Sequence, residues 1–286
     1  MSRAFRGIAA CTSHHFPSSV LSYLNSPQGR ADYLHAIADL LGRPAHGTVP
    51  RGPGVVGLDI GTGPLCVYPL IGHAEYGWSF LATDVDAKSM ECAEKLLKSN
   101  EGVPIRLRLQ PDRQSVLRNV LTPRPGSASA TDASDQRDPE VFAFTMCNPP
   151  FYSSEAEAAS AAARKWRGLA RVSKGDGRGA ATSTERRGGL RSFGGSASEL
   201  WAPGGEKAFV TAHIHESAEN CKAALWFTSL VSAERSMPKL RAELRASGAL
   251  AVEELPMATG NKAMRVLAWS FHSDLERAEK ILTLLQ

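Results

Sequence analysis

Short apolar runs, each about the length of one strand, recur along the chain between stretches whose apolar residues fall three and four apart. Val55–Ile60, Phe80–Asp84, Ile105–Leu109, Phe142–Met146 and Ala223–Leu230 read as strands, most of them of the type buried on both faces. Arg106 and Arg108 are expected to point outward from the third of them. Between the runs, residues 64–73, 87–99 and 205–221 read as helices. Upstream, Tyr33, Leu34, Ile37, Leu40 and Leu41 share one face of a helix over residues 29–42 that Gly42 stops. A helix at 237–247, ending at Gly248, leads into strands Val252–Met257 and Val266–His272. These are joined antiparallel through Thr259-Gly260-Asn261-Lys262, and residues 274–285 read as a terminal helix. Strands and helices that alternate and then close with a hairpin predict a doubly wound α/β sheet with an antiparallel edge.

Other segments show no such pattern. Residues 1–31 lack Asp and Glu and carry Arg3, Arg6 and Arg30 among many Ser and Ala, the composition of an organellar transit peptide and equally of an unstructured terminus. Residues 1–28 are therefore read as a variable or disordered N-terminus and 29–286 as the folded domain. Residues 43–54 form a Pro- and Gly-rich linker, and 122–139, rich in Pro, Ser, Ala and Asp, a surface excursion. Residues 152–204 form no convincing strand, and a loop of that length is usually functional or disordered.

Composition narrows the class. The chain has 286 residues, is 43% hydrophobic and 22% charged, and holds no apolar run near the roughly 20 residues that span a bilayer. Neither a membrane nor a metal is expected as a partner. Five widely spaced cysteines without a CxxC pair suggest no zinc site and no disulfide framework. The net charge of +4 is modest, but its distribution is not. Between Arg164 and Arg191 nine basic side chains (Arg164, Lys165, Arg167, Arg171, Lys174, Arg178, Arg186, Arg187 and Arg191) face only Asp176 and Glu185, a local charge of +7. Interleaved glycines, with Trp166 and Phe193 as stacking surfaces, give what a polyanion-binding segment requires, and RNA is the expected partner. Lys262 and Arg265, beside the hairpin turn, join this RNA-contacting set.

The chemistry gathers at strand ends. Asp59 lies in the first strand, which passes at once into Gly61-Thr62-Gly63, a loop whose glycines permit a tight turn and close backbone approach to a ligand. The second strand ends in Asp84, about 20 residues on, where an acid can hold ribose hydroxyls; Asp86 is expected to cap the following helix. The fourth strand leaves through Cys147-Asn148-Pro149-Pro150-Phe151. Asn148 is restricted to extended geometry by the proline after it, and two fixed φ angles make the turn stiff. One amide, free carbonyls and a ring are presented where open α/β sheets bind ligands.

The Asn148–Phe151 turn resembles the [DNS]-P-P-[YFW] signature of amino-group methyltransferases acting on adenine, cytosine or glutamine. Leu58–Gly72, His73–Asp84, Met146–Phe151, Ser192–Glu206, Trp226–Ser232 and Met264–Phe271 are similar to segments of the RlmF-type large-subunit rRNA adenine-N6 methyltransferases and their eukaryotic snRNA-methylating relatives. Gly29-Arg30-Ala31-Asp32-Tyr33 matches a segment just before that family's catalytic domain. The resemblance implies a Rossmann-like seven-stranded class I S-adenosylmethionine-dependent methyltransferase sheet with an antiparallel terminal hairpin. It further implies methyl transfer from S-adenosyl-L-methionine to an adenine N6 in RNA. Arg30, Asp59, Gly61, Gly63, Asp84, Ser115 and Asn148 then fall on cofactor-contacting positions, and Asn148, Pro149, Pro150 and Phe151 on the catalytic turn. Asp84 stands where many relatives carry Glu. Residues 1–28 do not resemble the segment by which the family also grips RNA, so that grip is expected to differ.

Large-subunit rRNA is the expected substrate, followed by snRNA or mRNA adenine, a protein glutamine, and a non-catalytic RNA-binding scaffold. A nicotinamide dehydrogenase ranks last, because the glycine loop lacks the full GxGxxG spacing. The expected compartment is the cytoplasm, with the nucleus and an organelle as alternatives.

Overall fold

The computed structural model describes residues 28–100, 102–121, 141–150, 152–154, 156, 157, 160, 201–259 and 262–285. Two compact units divide the chain: Met1–Pro149 together with Val210–Gln286, and Pro150–Phe209. The first carries a seven-stranded sheet. Its strands are β1 (Val56–Ile60), β2 (Ser79–Asp84), β3 (Ile105–Leu109), β4 (Phe142–Cys147), β5 (Ala224–Val231), β6 (Ala251–Thr259) and β7 (Lys262–Ser270), in the order β3-β2-β1-β4-β5-β7-β6. The first five are mutually parallel, β7 runs antiparallel to β5, and β6 runs antiparallel to β7. Every residue of β4 and β5 is buried, as expected of strands covered on both faces. Pro256 lies in β6, an edge strand, the kind of strand to which proline is confined within sheets.

The helices follow the alternation in the sequence: α1 (Gln28–Gly42), α2 (Val67–Tyr76), α3 (Ala87–Lys98), α4 (Gly205–Glu219), α5 (Met237–Ala246) and α6 (Asp274–Thr283). Helix α1 lies against α2 and β6 and buries Tyr33, Leu34, Ile37, Leu40 and Leu41, the face its apolar spacing marks out. Each such side chain contributes about 1.5–3 kcal/mol of burial. Asp86 caps α3, accepting from Ser89 N at 3.1 Å, and Ser273 with Glu276 forms a capping box on α6.

Three elements depart from expectation. Helix α2 begins at Val67, not residue 64, because Gly63 (φ +67°) and Cys66 (φ +43°) adopt left-handed backbone that no α-helix includes; it ends at Gly77 (φ +73°). The hairpin is longer toward its turn, with Thr259 paired to Lys262, and β7 stops at Ser270 rather than His272. Polar residues at 262 and 265 hide that extension from an apolar pattern. Arg106 and Arg108 are half-buried on β3 instead of pointing freely outward, and the Arg108 guanidinium donates to the Val120 carbonyl.

Candidate functional site at the ends of strands β1, β2 and β4

Ile60 of β1 is paired on one side with Thr83 of β2 and on the other with Cys147 of β4. The residues that follow these three are Gly61, Asp84 and Asn148, so strand register alone brings them level at one sheet edge. That edge includes the point between β1 and β4 where the winding of the sheet reverses, the usual ligand crevice of such sheets.

The glycine loop is tied to β2. Gly61 N and Thr62 N both donate to the Thr83 carbonyl at 2.9 Å, and Gly63 N donates to Asp84 Oδ2 at 2.9 Å. Asp84 Oδ1 accepts from Asp86 N at 2.9 Å. Asp84 thus braces the loop while being buried itself; burial raises its carboxyl, and the N–H groups of Asp86, Gly63 and Val85 oppose the rise. Three N–H donors still leave the carboxylate an acceptor site for a ligand hydroxyl. Gly61 (φ +76°) and Gly63 (φ +67°) have open space where a Cβ would stand, so the backbone is free to meet a ligand closely.

Among the described residues, three buried acceptors at this edge lack hydrogen-bond partners: Asp59 Oδ2, Thr62 Oγ1 and Asn148 Oδ1. Burial pushes the Asp59 carboxyl up to about 7, and the charge of Asp84 adds to the rise. The Thr62 hydroxyl beside it counters the shift without a well-formed hydrogen bond. Unpaired buried acceptors cost free energy, and sites for polar ligands are where such atoms are retained. Pro149, next after Asn148, is buried.

Helix α1 reaches the same edge. The Tyr33 hydroxyl accepts from Cys147 N at 3.1 Å, one residue before Asn148, and its ring meets Tyr68 of α2 edge-on with centroids 5.7 Å apart. Burial raises the Tyr68 hydroxyl, and the charge of Arg30, one turn before Tyr33 on α1, opposes that rise. Open backbone at Gly61 and Gly63, the acceptors of Asp59 and Asn148, the acid Asp84 and the cation Arg30 fit a ligand bearing an ammonium, a carboxylate and ribose hydroxyls.

Ser115 lies in the segment after β3, which leaves the sheet beside Asp84: Gln110 N donates to the Asp84 carbonyl at 2.8 Å. Its hydroxyl donates to Asp112 Oδ2 at 2.7 Å. The segment is held from α4 by Glu216, a buried carboxylate that accepts from Val116 N, Leu117 N and Arg118 N at 2.7–3.1 Å. Arg265, expected to meet RNA, is only 20% exposed and pairs with Glu234 at 3.4 Å and Glu254 at 3.5 Å. Phe151, the basic residues Arg164, Lys165, Arg167, Arg186, Arg187 and Arg191, and the side chain of Lys262 lie outside the described residues; Pro150 begins the second unit. Sequence reasoning missed Glu216 and the hydroxyl of Tyr33, whose partners are distant along the chain.

Among the described residues no helix is long and apolar enough to cross a membrane, and no three metal-ligating side chains cluster.

Comparison with known proteins gives a consistent set. A family model described as RNA methyltransferase matches residues 14–273. Ribosomal RNA large subunit methyltransferase F of Pseudomonas putida is 40% identical over 257 residues, which cover 89% of this chain and 73% of the relative. Its namesake in Pseudomonas aeruginosa is 38% identical over 258 residues, 89% of this chain and 69% of the relative. Among solved structures, the hMettl16 catalytic domain in complex with MAT2A 3′UTR hairpin 1 matches with a TM-score of 0.59 and 30% identity, covering 86% of this chain and 70% of that one. The N-terminal domain of human METTL16 in complex with SAH matches with a TM-score of 0.56 and 26% identity, covering 86% and 71%.

Proposed function

The chain belongs to the RNA methyltransferase family, and from that membership we propose that it transfers a methyl group from S-adenosylmethionine to the N6 amino group of one adenine in large-subunit ribosomal RNA. The observation that carries this reading is Asn148 Oδ1, a buried acceptor without a partner among the described residues, level with the glycine loop and Asp84. Relatives named for the ribosomal large subunit, at about two-fifths identity, favour ribosomal RNA. Likeness to a domain solved with an mRNA hairpin supports RNA as the substrate class and makes a small nuclear or messenger RNA the second reading. We place the reaction in the cytoplasm, where bacterial relatives meet ribosomal RNA.

When bound, S-adenosylmethionine supplies an electrophilic methyl group. Arg30 would pair with its carboxylate, Asp59 would receive its ammonium, Gly61 and Gly63 would allow its close approach, and Asp84 would accept from ribose hydroxyls. Ser115 is the proposed contact from the segment after β3, once its hydroxyl turns from Asp112.

An exocyclic adenine nitrogen is a poor nucleophile because its lone pair is delocalised into the ring. The Asn148 oxygen and the Pro149 carbonyl would accept its two hydrogens, drawing electron density onto that nitrogen and fixing its direction. Pro150 keeps the turn stiff, and Phe151 would stack on a base withdrawn from its neighbours. The N6 proton becomes acidic only after transfer and leaves to water, so these residues need only orient and polarise. Lys262 and the basic residues Arg164–Arg191 would hold the phosphate backbone. Arg265 would join them only by giving up its acidic partners.

The test is incubation with tritiated S-adenosylmethionine and large-subunit rRNA, small nuclear RNA or total protein. Label in large-subunit rRNA alone is expected; label in protein would replace this reading with a glutamine substrate.

A further inference from the structure

The last residues paired between β4 and β5 are Thr145 and Phe227. Beyond them the strands are joined by side chains. The Thr228 hydroxyl donates to the Thr145 carbonyl at 2.8 Å, and the Tyr33 hydroxyl lies 2.7 Å from Thr228 Oγ1. Cys147 N donates to the Tyr33 hydroxyl at 3.1 Å. With the Thr228 proton on the Thr145 carbonyl, the Tyr33 proton goes to Thr228 Oγ1. The result is a one-way relay from Cys147 N–H through two hydroxyls to the carbonyl of Thr145.

Cys147 lies beyond the last residues paired between β4 and β5, and there the tip of a helix side chain accepts the strand's N–H. The ring has no freedom to swing: Tyr33 is fully buried, edge-on to Tyr68, on a helix whose Leu34, Ile37 and Leu41 are also fully buried. The Cys147 carbonyl, on the peptide leading into Asn148, lies 3.4 Å from the same hydroxyl. A residue of α1, the helix that also carries Arg30, thus holds the peptide that leads into Asn148.

We propose that Tyr33 is a positioning residue for methyl transfer, its hydroxyl holding the end of β4 so that the Asn148 oxygen faces the target amino group. The inference rests on Asn148 being the acceptor of the amino hydrogens.

The test is a hydroxyl-deletion series, Tyr33→Phe, Thr228→Val and both together, with Thr228→Ser as the conservative control. Turnover on RNA, KM for RNA, calorimetric affinity for S-adenosylhomocysteine and thermal melting are measured for each. Tyr33→Phe and Thr228→Val are each expected to lower kcat about 10- to 100-fold, the scale on which small misplacements act. KM and cofactor affinity should stay within about threefold, because the glycine loop and Asp84 do not depend on the relay. The double variant should fall no further than the more damaged single one, and Thr228→Ser should restore turnover. Full turnover by Tyr33→Phe beside an active parent would overturn the proposal alone. So would kcat and cofactor affinity falling together in step with lost folded protein. If Tyr33→Phe fails to fold, Thr228→Val against Thr228→Ser decides: equal turnover of the two overturns the proposal. Absence of methyl transfer to RNA by the unsubstituted protein would overturn the functional reading and this proposal with it.

Discussion

Asp59 carries a crevice carboxyl that burial raises to about 7, above the roughly 3.9 of an unfolded chain. Between those pH values the folded protein holds a proton that the unfolded chain has released. Asp59 therefore subtracts progressively from stability as pH rises to about 7, and by a constant amount above it. Asp59→Asn should raise the melting temperature of the ligand-free protein, more at pH 8 than at pH 5, as differential scanning calorimetry would show. An ammonium beside Asp59 favours the ionised form, so cofactor affinity should weaken below pH 7 by up to about tenfold per unit. In Asp59→Asn the affinity should be weaker and flat with pH. Residue spacing made the glycine loop, Asp84 and the Asn148 turn legible in the sequence, because each is a local signal at a strand end. The hydroxyl of Tyr33 was legible only as part of an apolar helix face, since its partners lie 114 and 195 residues away.

Elements are fixed by contacts just as distant. Glu216 on α4 gathers three consecutive backbone N–H groups after β3, about 100 residues earlier in the chain. Glu216→Ala would strand those donors and should lower stability by about 3 kcal/mol in denaturant unfolding, with Glu216→Gln losing less. Loosening residues 116–118 should also weaken cofactor binding if the neighbouring Ser115 is the contact proposed for it. Inside the sheet, Gly57 of β1 lies under two rings: an added Cβ would stand 2.5 Å from Phe144 and 2.8 Å from Phe80. Gly57→Ala should therefore cost about 1–3 kcal/mol by overpacking, measured the same way. The alternation of strands and helices and the antiparallel closure followed from runs, helical spacing and the hairpin signal; the order of strands across the sheet did not. Nor did the start of α2, because a cysteine at positive φ leaves no trace in residue type.

For the molecule as a whole, the proposed RNA contact is a matter of charge. Arg265, basic in the sequence, is paired with Glu234 and Glu254, a partnership no local pattern announces. The unbalanced charge of residues 164–191 is +7 against +4 for the chain. Replacing Arg186, Arg187 and Arg191 with Ala should weaken RNA binding and reduce the slope of log affinity against log salt by about 2–3, as three lost phosphate contacts would. Cofactor affinity should be unchanged. The most direct measurement of the central claim is nucleoside analysis of large-subunit rRNA after incubation with S-adenosylmethionine and either the parent protein or Asn148→Ala. N6-methyladenosine should form with the parent and fall at least about 100-fold with Asn148→Ala, while cofactor binding by the variant stays within a few-fold. Undiminished N6-methyladenosine from Asn148→Ala, or a different methylated nucleoside from the parent, would contradict it.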